Sequence, residues 1–170
     1  SEAQEWIRAY RHDKLRPVGA EAVTISIANF KGGVGKTTTA MTLAQGLTLL
    51  GHRVLVIDTD PQGSLSTLFG ILPDTEVAEE DTILHLALGI ETSIRSAIRS
   101  TYWSGIDLVA AAPCLFGAEF ALPARQTQEP DFQFWNVLNL GIDDVRGEYD
   151  VIILDSPPSL PYITINALMA

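Results

Sequence analysis

A glycine-rich segment, Asn29-Phe30-Lys31-Gly32-Gly33-Val34-Gly35-Lys36-Thr37-Thr38, lies between a short apolar run and a helical pattern. Backbone amides can wrap around phosphate oxygens only where side chains leave room and unusual φ values cost little, and the three glycines allow both. Lys36 is placed to bind the β- and γ-phosphates as a point charge, while Thr37 offers a hydroxyl to a magnesium ion. The following helix points its N-terminus at the same phosphates. The stretch therefore predicts a loop that binds a nucleoside triphosphate.

Short apolar runs rich in β-branched residues are spaced along the chain and predict a buried sheet. Runs of this kind suit strands of a parallel sheet that is covered on both faces. Four segments have this character: 23–28, 54–57, 105–111 and 151–154. Between the first two, residues 37–50 show helical spacing of their apolar side chains, and Gly51 suits the position just after the helix. We therefore expect an α/β fold with a parallel sheet and helices on both faces.

Carboxylates follow two of the predicted strands. Asp58 and Asp60 end one strand and Asp155 ends another, which places all three at the sheet edge where ligands of such folds bind. Magnesium takes oxygen ligands, often through water, and a carboxylate can also position a water molecule for attack on a phosphate. We expect Asp155 to hold magnesium through water opposite Thr37. A simple strand-end turn formed by Asp60 and Pro61 is the alternative interpretation.

The loop departs from the general phosphate-loop pattern and resembles a variant of it. The pattern G-x-x-x-x-G-K-[ST] requires glycine where this chain has Phe30. Its sequence instead matches K-G-G-x-G-K-[ST], which resembles the deviant loop of the ParA/MinD class of P-loop ATPases. Residues 58–63 resemble the D-x-D-P-Q-G motif of ParA-type partition ATPases, and residues 155–159 resemble their D-[TS]-P-P-S segment. Ser64 stands where many relatives carry Asn, so the hydrogen bonding after the motif is left open.

This resemblance implies a P-loop NTPase-like fold, ATP and Mg2+ as cofactors, slow ATP hydrolysis and a defined set of site residues. By the resemblance, Lys31 crosses a dimer interface to the partner's nucleotide, and Asp60 orients the hydrolytic water. These two residues and Lys36 form the predicted catalytic group. The predicted magnesium residues are Thr37 and Asp155, with Asp58 supporting the magnesium shell. The predicted nucleotide-binding residues are Lys31, Gly32, Gly33, Val34, Gly35, Lys36, Thr37 and Thr38.

The same resemblance implies partners and a cellular role. Partition ATPases of this type form homodimers when ATP is bound, and a ParB-like centromere-binding protein stimulates their hydrolysis. They act in plasmid or chromosome segregation on non-specific DNA, which here would bind through regions absent from this chain. The expected location is the cytoplasm, in association with the nucleoid. One alternative is a nucleotide-gated transcriptional regulator of its own operon. A MinD-like membrane-positioned ATPase is a second alternative, against which the Pro61-Gln62-Gly63 signature argues.

Composition supports these expectations. The 170 residues are 46% hydrophobic, which is enough for one substantial core. The formal net charge of −10 disfavours direct binding of DNA by this segment. No apolar run approaches the ~18 residues of a membrane span, and residues 1–5 do not resemble a signal peptide. The one cysteine, Cys114, gives no internal disulfide and no ligand cluster.

The ends of the chain suggest its domain organisation. We expect residues 1–20 to form a helix and linker from an upstream region, with basic residues Arg8, Arg11, Lys14 and Arg16. This basic group is either a solvated helix face or a contact to a nucleic acid backbone. Residues 21–170 are expected to be the N-terminal part of the ATPase domain, incomplete at its C-terminus. Residues 73–108 resemble the larger plasmid-type members, which carry a helix-turn-helix region upstream.

Overall fold

The computed structural model describes residues 2–10, 17, 19–28 and 35–170, which form a layered α/β fold. The strands are β1 (Val23–Ile27), β2 (Val54–Asp58), β3 (Arg99–Ser100), β4 (Ile106–Val109) and β5 (Val151–Asp155). The helices are α1 (Glu2–Tyr10), α2 (Lys36–Leu49), α3 (Ser64–Leu68), α4 (Pro73–Glu76), α5 (Leu84–Leu88), α6 (Ala118–Gln128), α7 (Val137–Ile142) and α8 (Pro161–Met169). The predicted fold class is confirmed.

The strands form one sheet in the order β1-β5-β2-β4-β3. The first four strands in this order, β1, β5, β2 and β4, are parallel to one another, as expected. β3 differs, because Arg99 and Ser100 pair in antiparallel fashion with Leu108 and Asp107 of β4. Since β5 lies between β1 and β2, the connection through α2 crosses one strand before the chain re-enters the sheet. The carboxyl ends of β1, β5 and β2 therefore lie side by side.

The apolar runs of β2 and β5 are continuous because both faces of the sheet are covered. Every residue of these two strands is buried. Alternate side chains point to opposite faces, as strand geometry requires. Leu55, Ile57, Ile152 and Leu154 enter a core with α5, α6, α7 and α8. Val54, Val56, Val151 and Ile153 enter a second core with α2 and α3.

Residues 93–99 do not form a continuous helix. A single 3₁₀ turn at Arg95–Ala97 leads directly into β3. That one turn suffices to bury Ile94 and Ala97. Arg95 remains at the surface, where it pairs with Asp144 and Glu148.

Helix α1 contacts the segments that precede β4 and β2, at the end of the sheet opposite to the carboxylates. Gln4 Nε2 donates to the carbonyl oxygen of Ser104 at 3.0 Å, and Arg8 Nε donates to that of Gly51 at 2.6 Å. Arg8 therefore binds the C-terminal end of α2, where a cation is favoured, and is not part of a solvated basic face. Arg11, Lys14 and Arg16 lie outside the described residues. None of the helices described has the length and apolar character that crossing a membrane requires.

Because the sheet is covered on both faces, we expect truncation of a central strand residue to lower the free energy of unfolding strongly. Ile153 has no exposed surface. We expect Ile153→Ala to lower the free energy of unfolding by about 2–5 kcal/mol, because the substitution leaves a cavity that rigid strands cannot fill. Ile90→Ala is the matched control, since Ile90 is 61% exposed. Urea denaturation followed by circular dichroism measures both variants, and equal losses for the two would contradict tight packing at Ile153.

Candidate functional site

The register of the parallel strands brings the sequence-predicted carboxylates together. Asp155 of β5 is opposite Ile27 of β1 on one side and Asp58 of β2 on the other. Ile27 is the last residue of the strand that leads to the glycine-rich loop. The two strand ends that carry aspartates therefore lie beside the end of the strand that leads to the glycine-rich loop.

Helix α2 begins at Lys36 and presents its N-terminus to this edge. Gly35 precedes it with φ +78°, a left-handed conformation that glycine adopts without strain. No side chain caps this end among the residues that the structure describes. The amides of the first turn, which have no partner within a helix, therefore remain available to an anion.

Asp155 links this helix to the sheet. The residue is 1% exposed, and the side chain of Thr37 forms a hydrogen bond with its carboxyl group that lowers the pKa of Asp155. Burial raises the pKa of Asp155 to about 6, and the negative charge of Asp60 raises it as well. The hydrogen bond from Thr37 and the positive charge of Lys36 act in the opposite direction. The predicted residues Lys36, Thr37, Asp60 and Asp155 are thus neighbours in the fold.

The donor set around Asp155 fits a magnesium ion. Asp155 Oδ1 is buried and has no hydrogen-bond partner in the described part of the chain. A cation would stabilise the ionised form of this desolvated carboxylate. No group of three or more His, Cys, Asp or Glu residues in the described ranges could hold a metal alone. Magnesium is commonly bound by one or two protein oxygens together with waters and substrate phosphates.

Asp60 lies in a tight turn just beyond β2 and is only partly buried. Gln62 N donates to Asp60 Oδ1 at 3.0 Å, and Gly63 N donates to the Asp60 carbonyl oxygen at 2.8 Å. The carboxylate is thereby oriented by its own loop, as Asp residues often are in turns. The turn interpretation of this sequence is therefore correct as geometry, and it leaves the carboxylate beside Asp155 where it can interact with a ligand.

Asp58 is fully buried, and partners within the chain bind both of its carboxyl oxygens. Asp60 N donates to Oδ1 at 3.1 Å, while Ser66 N and Ser66 Oγ donate to Oδ2 at 2.9 and 2.8 Å. Burial raises the pKa of Asp58 to about 7, and these hydrogen bonds partly offset that effect. In the structure Asp58 organises the loop and the start of α3. Its support of a magnesium shell stays a prediction.

Two buried hydroxyl residues at the strand ends were not identified from the sequence. Thr59 donates to the carbonyl oxygen of Asp155 through both N and Oγ1, at 3.0 and 2.8 Å. Ser156 donates to the carbonyl oxygen of Ile27 through both N and Oγ, at 3.2 and 2.9 Å. These bonds join β2 to β5 and β5 to β1 just where the strands separate. A hydroxyl residue directly after the strand-ending aspartate was the signal in each case.

Four of the predicted nucleotide-binding residues cannot be placed in this geometry. Lys31, Gly32, Gly33 and Val34 lie outside the described residues. Thr38 is exposed in the first turn of α2.

A family model described as an AAA domain matches residues 22–170, which include every element from β1 to α8. This chain belongs to that family and is of the ParA/MinD type. It is 38% identical over 152 residues to protein SopA of Escherichia coli K12, covering 86% of this chain and 38% of SopA. It is 37% identical over 146 residues to the chromosome partitioning protein ParA of Caulobacter vibrioides, covering 86% of this chain and 52% of that protein.

Among solved structures, this ParA/MinD-type chain is similar to cobyrinic acid a,c-diamide synthase from Mycobacterium smegmatis. That structure contains an ATP analogue and magnesium, and the similarity covers 86% of this chain and 56% of the synthase. The TM-score is 0.74 and the sequence identity is 35%. The chain spans between about two fifths and one half of the length of the curated relatives described here.

In this ParA/MinD-type chain, the turn after Asp60 depends on a glycine at position 63. Gly63 has φ +61°, and a Cβ there would lie 2.4 Å from Pro73 Cγ and 3.1 Å from the carbonyl oxygen of Ala111. Both the backbone conformation and the close approach of α4 therefore require glycine. This packing holds the motif loop against the residues that follow β4.

We expect Gly63→Ala to lower the free energy of unfolding by at least about 1–2 kcal/mol, since the left-handed conformation alone costs that much for a residue with a Cβ. The clash with Pro73 adds to the loss. Gly147→Ala is the matched control, because a Cβ at Gly147 meets nothing within 4 Å. Thermal unfolding of both variants measures the difference, and equal stability of the two would contradict this explanation of the turn.

Proposed function

We propose that the complete protein containing this chain is a ParA-type partition ATPase that binds ATP with magnesium and hydrolyses it slowly. One observation carries the proposal: the buried Asp155, bonded to Thr37 and with Oδ1 unpartnered in the described residues, lies close enough to Lys36 of α2 and to Asp60 for both charges to shift its pKa. The N-terminus of α2 can bind an anion, Asp155 a divalent cation and Asp60 a water molecule. The likeness to a synthase solved with an ATP analogue and magnesium supports the choice of ligands.

Each residue then has a defined task. Lys36 and the amides that open α2 bind the β- and γ-phosphates through charge and hydrogen bonds. Thr37 and Asp155 hold magnesium, which when bound neutralises charge on the phosphate oxygens. Asp60 accepts a hydrogen bond from the attacking water and aligns it with the γ-phosphate. Positioning and charge stabilisation supply most of the catalysis in phosphoryl transfer, so a rigid Asp60 loop serves this role.

The switch and its partners belong to the same proposal. Lys31 binds the nucleotide of a second copy, so that ATP and not ADP holds a homodimer together. The dimer binds non-specific DNA through regions outside this acidic chain, and a ParB-like partner stimulates hydrolysis in the cytoplasm, at the nucleoid. Support comes from the loop sequence and from the similarity to a chromosome partitioning protein. In this proposal residues 1–20 remain a linker region and residues 21–170 part of the ATPase domain.

Removing the carboxylate of Asp60 should slow the hydrolysis of ATP without weakening the binding of ATP. We expect Asp60→Ala in the complete protein to bind ATP with nearly unchanged affinity and to lower kcat on the order of a hundredfold, as loss of a positioned proton acceptor does. Asp131→Ala is the control, because Asp131 is an exposed aspartate in the loop after α6. Phosphate release and a fluorescent ATP analogue measure the two quantities. Unchanged turnover in Asp60→Ala would rule out this assignment.

Binding of the complete protein to non-specific DNA tests the dimer switch. We expect binding with ATP and no binding with ADP or without nucleotide, and we expect Lys31→Ala to abolish the ATP-dependent binding while monomers still bind ATP. Lys14→Ala removes the same charge from the predicted linker and should bind DNA normally. If DNA binding ignores the nucleotide, or falls with Lys14 and not with Lys31, the partition mechanism is wrong. Those results would favour the nucleotide-gated regulator.

A further inference from the structure

Ser66 occupies an unusual position for a small helix residue. It lies in α3 with no exposed surface, and its hydroxyl bridges two elements of the site. Ser66 Oγ donates to Asp58 Oδ2 at 2.8 Å and accepts from Ala111 N at 2.9 Å. Ala111 follows β4, so this one hydroxyl connects the end of β4 to the end of β2.

The bridge extends to the residue proposed to orient water. Ser66 N also donates to Asp58 Oδ2, at 2.9 Å, so this oxygen has two donors from one residue. The other oxygen, Asp58 Oδ1, accepts from Asp60 N at 3.1 Å. The backbone of Asp60 is therefore held by a carboxylate that Ser66 in turn holds. No other side chain in the described residues donates to Asp58.

Burial makes this arrangement sensitive to loss of the hydroxyl. Without Oγ, the Ala111 amide loses its acceptor and Asp58 loses a donor, both in a region closed to water. Buried polar groups left without partners cost more than the bond itself, so the surrounding groups would shift to recover them. The Asp58 carboxyl group is the group that can rotate, and the Asp60 amide is hydrogen-bonded to it.

We propose that Ser66 is a positioning residue for ATP hydrolysis, which through the Asp58 carboxylate holds the loop that carries Asp60 in the orientation needed to align the attacking water. This inference rests on the proposed ATPase function. Ser66 touches neither nucleotide nor water in this role. It acts on the rate of the chemical step and not on the affinity for ATP.

A double-mutant cycle in the complete protein tests the proposal. We expect Ser66→Ala to lower kcat by roughly ten- to a hundredfold, as small misplacements of a catalytic group do, and to leave ATP affinity nearly unchanged. In the Asp60→Ala background, Ser66→Ala should cause no further loss of kcat, because the group it positions is already gone. Single-turnover hydrolysis of radiolabelled ATP provides the sensitivity that the double variant needs.

Thr48→Val is the matched control for a purely structural effect. Thr48 is equally buried and also bridges a donor to an acceptor, taking a hydrogen bond from Trp103 Nε1 at 2.9 Å and donating to the carbonyl oxygen of Gln45 at 2.8 Å. It lies near the far end of α2. We expect this variant to lower the melting temperature and keep wild-type kcat.

Three results would overturn the proposal. The first is a wild-type kcat in Ser66→Ala, and the second is a loss of kcat that adds fully to that of Asp60→Ala. The third is a loss of ATP affinity in step with stability, which would place Ser66 among ordinary structural residues. If the wild-type protein and Asp60→Ala behave as proposed while Ser66→Ala fails these criteria, only this inference falls. If the wild-type protein neither binds nor hydrolyses ATP, the proposed function itself is wrong.

Discussion

The structure depends on burying two carboxylates at the ends of adjacent strands. The register of β5 between β1 and β2 places Asp155 beside Asp58, and both lose nearly all contact with water. Desolvation dominates the raised pKa of each group, and the charge of Asp155 raises that of Asp58 further. Such an arrangement persists only if donors or cations offset it. Asp58 receives three donors from the chain, whereas Asp155 has Thr37 and the nearby Lys36 and keeps Oδ1 without a partner in the described residues. From this asymmetry we infer that Asp58 is part of the internal scaffold, and we propose Asp155 as the group that binds a ligand.

Hydrogen bonds between the strand ends hold the backbone of Asp155 in a fixed position beside Asp58. Thr59 and Ser156 each direct two donors to a carbonyl oxygen of the neighbouring strand, which holds the backbone of Asp155 from both sides. Sites built on strands and helices hold their groups more accurately than sites built on loops alone. Among the described residues, Asp155, which we propose to hold magnesium, is on a strand, the N-terminus of α2, which we propose to bind phosphate, belongs to a helix, and Asp60 lies in a loop. That loop is the part that needs support from elsewhere, and Gly63 and Ser66 supply it.

The sequence predicted the central part of this structure well, since β-branched runs of four or five residues ending in Asp have few other interpretations. Helix α2 was likewise expected from spacing, and its start was found one residue from the predicted position. β3 was not expected, because two residues carry no pattern and Arg99 and Ser100 pair only once β4 is in place. Ser66 gave no local signal either, since its partners lie eight and 45 residues away along the chain. Long-range hydrogen bonds of single side chains are the part of a site that periodicity cannot encode.

The relatives show that this site does not by itself specify a cellular role. A synthase and a chromosome partitioning protein are both similar to the same stretch of this chain, at 35% and 37% identity. Function resides in sites grafted on folds, so proteins that share a fold can drive different processes. We infer that a partition protein differs from such a synthase in how it uses the γ-phosphate. Some of its groups must respond to the presence of the γ-phosphate and thereby control contact with a second copy and with DNA. Lys31 is the residue of this chain best suited to that task by sequence. A test on Lys31 therefore addresses the proposed cellular role, whereas tests on Asp60 and Ser66 address only the proposed hydrolysis of ATP.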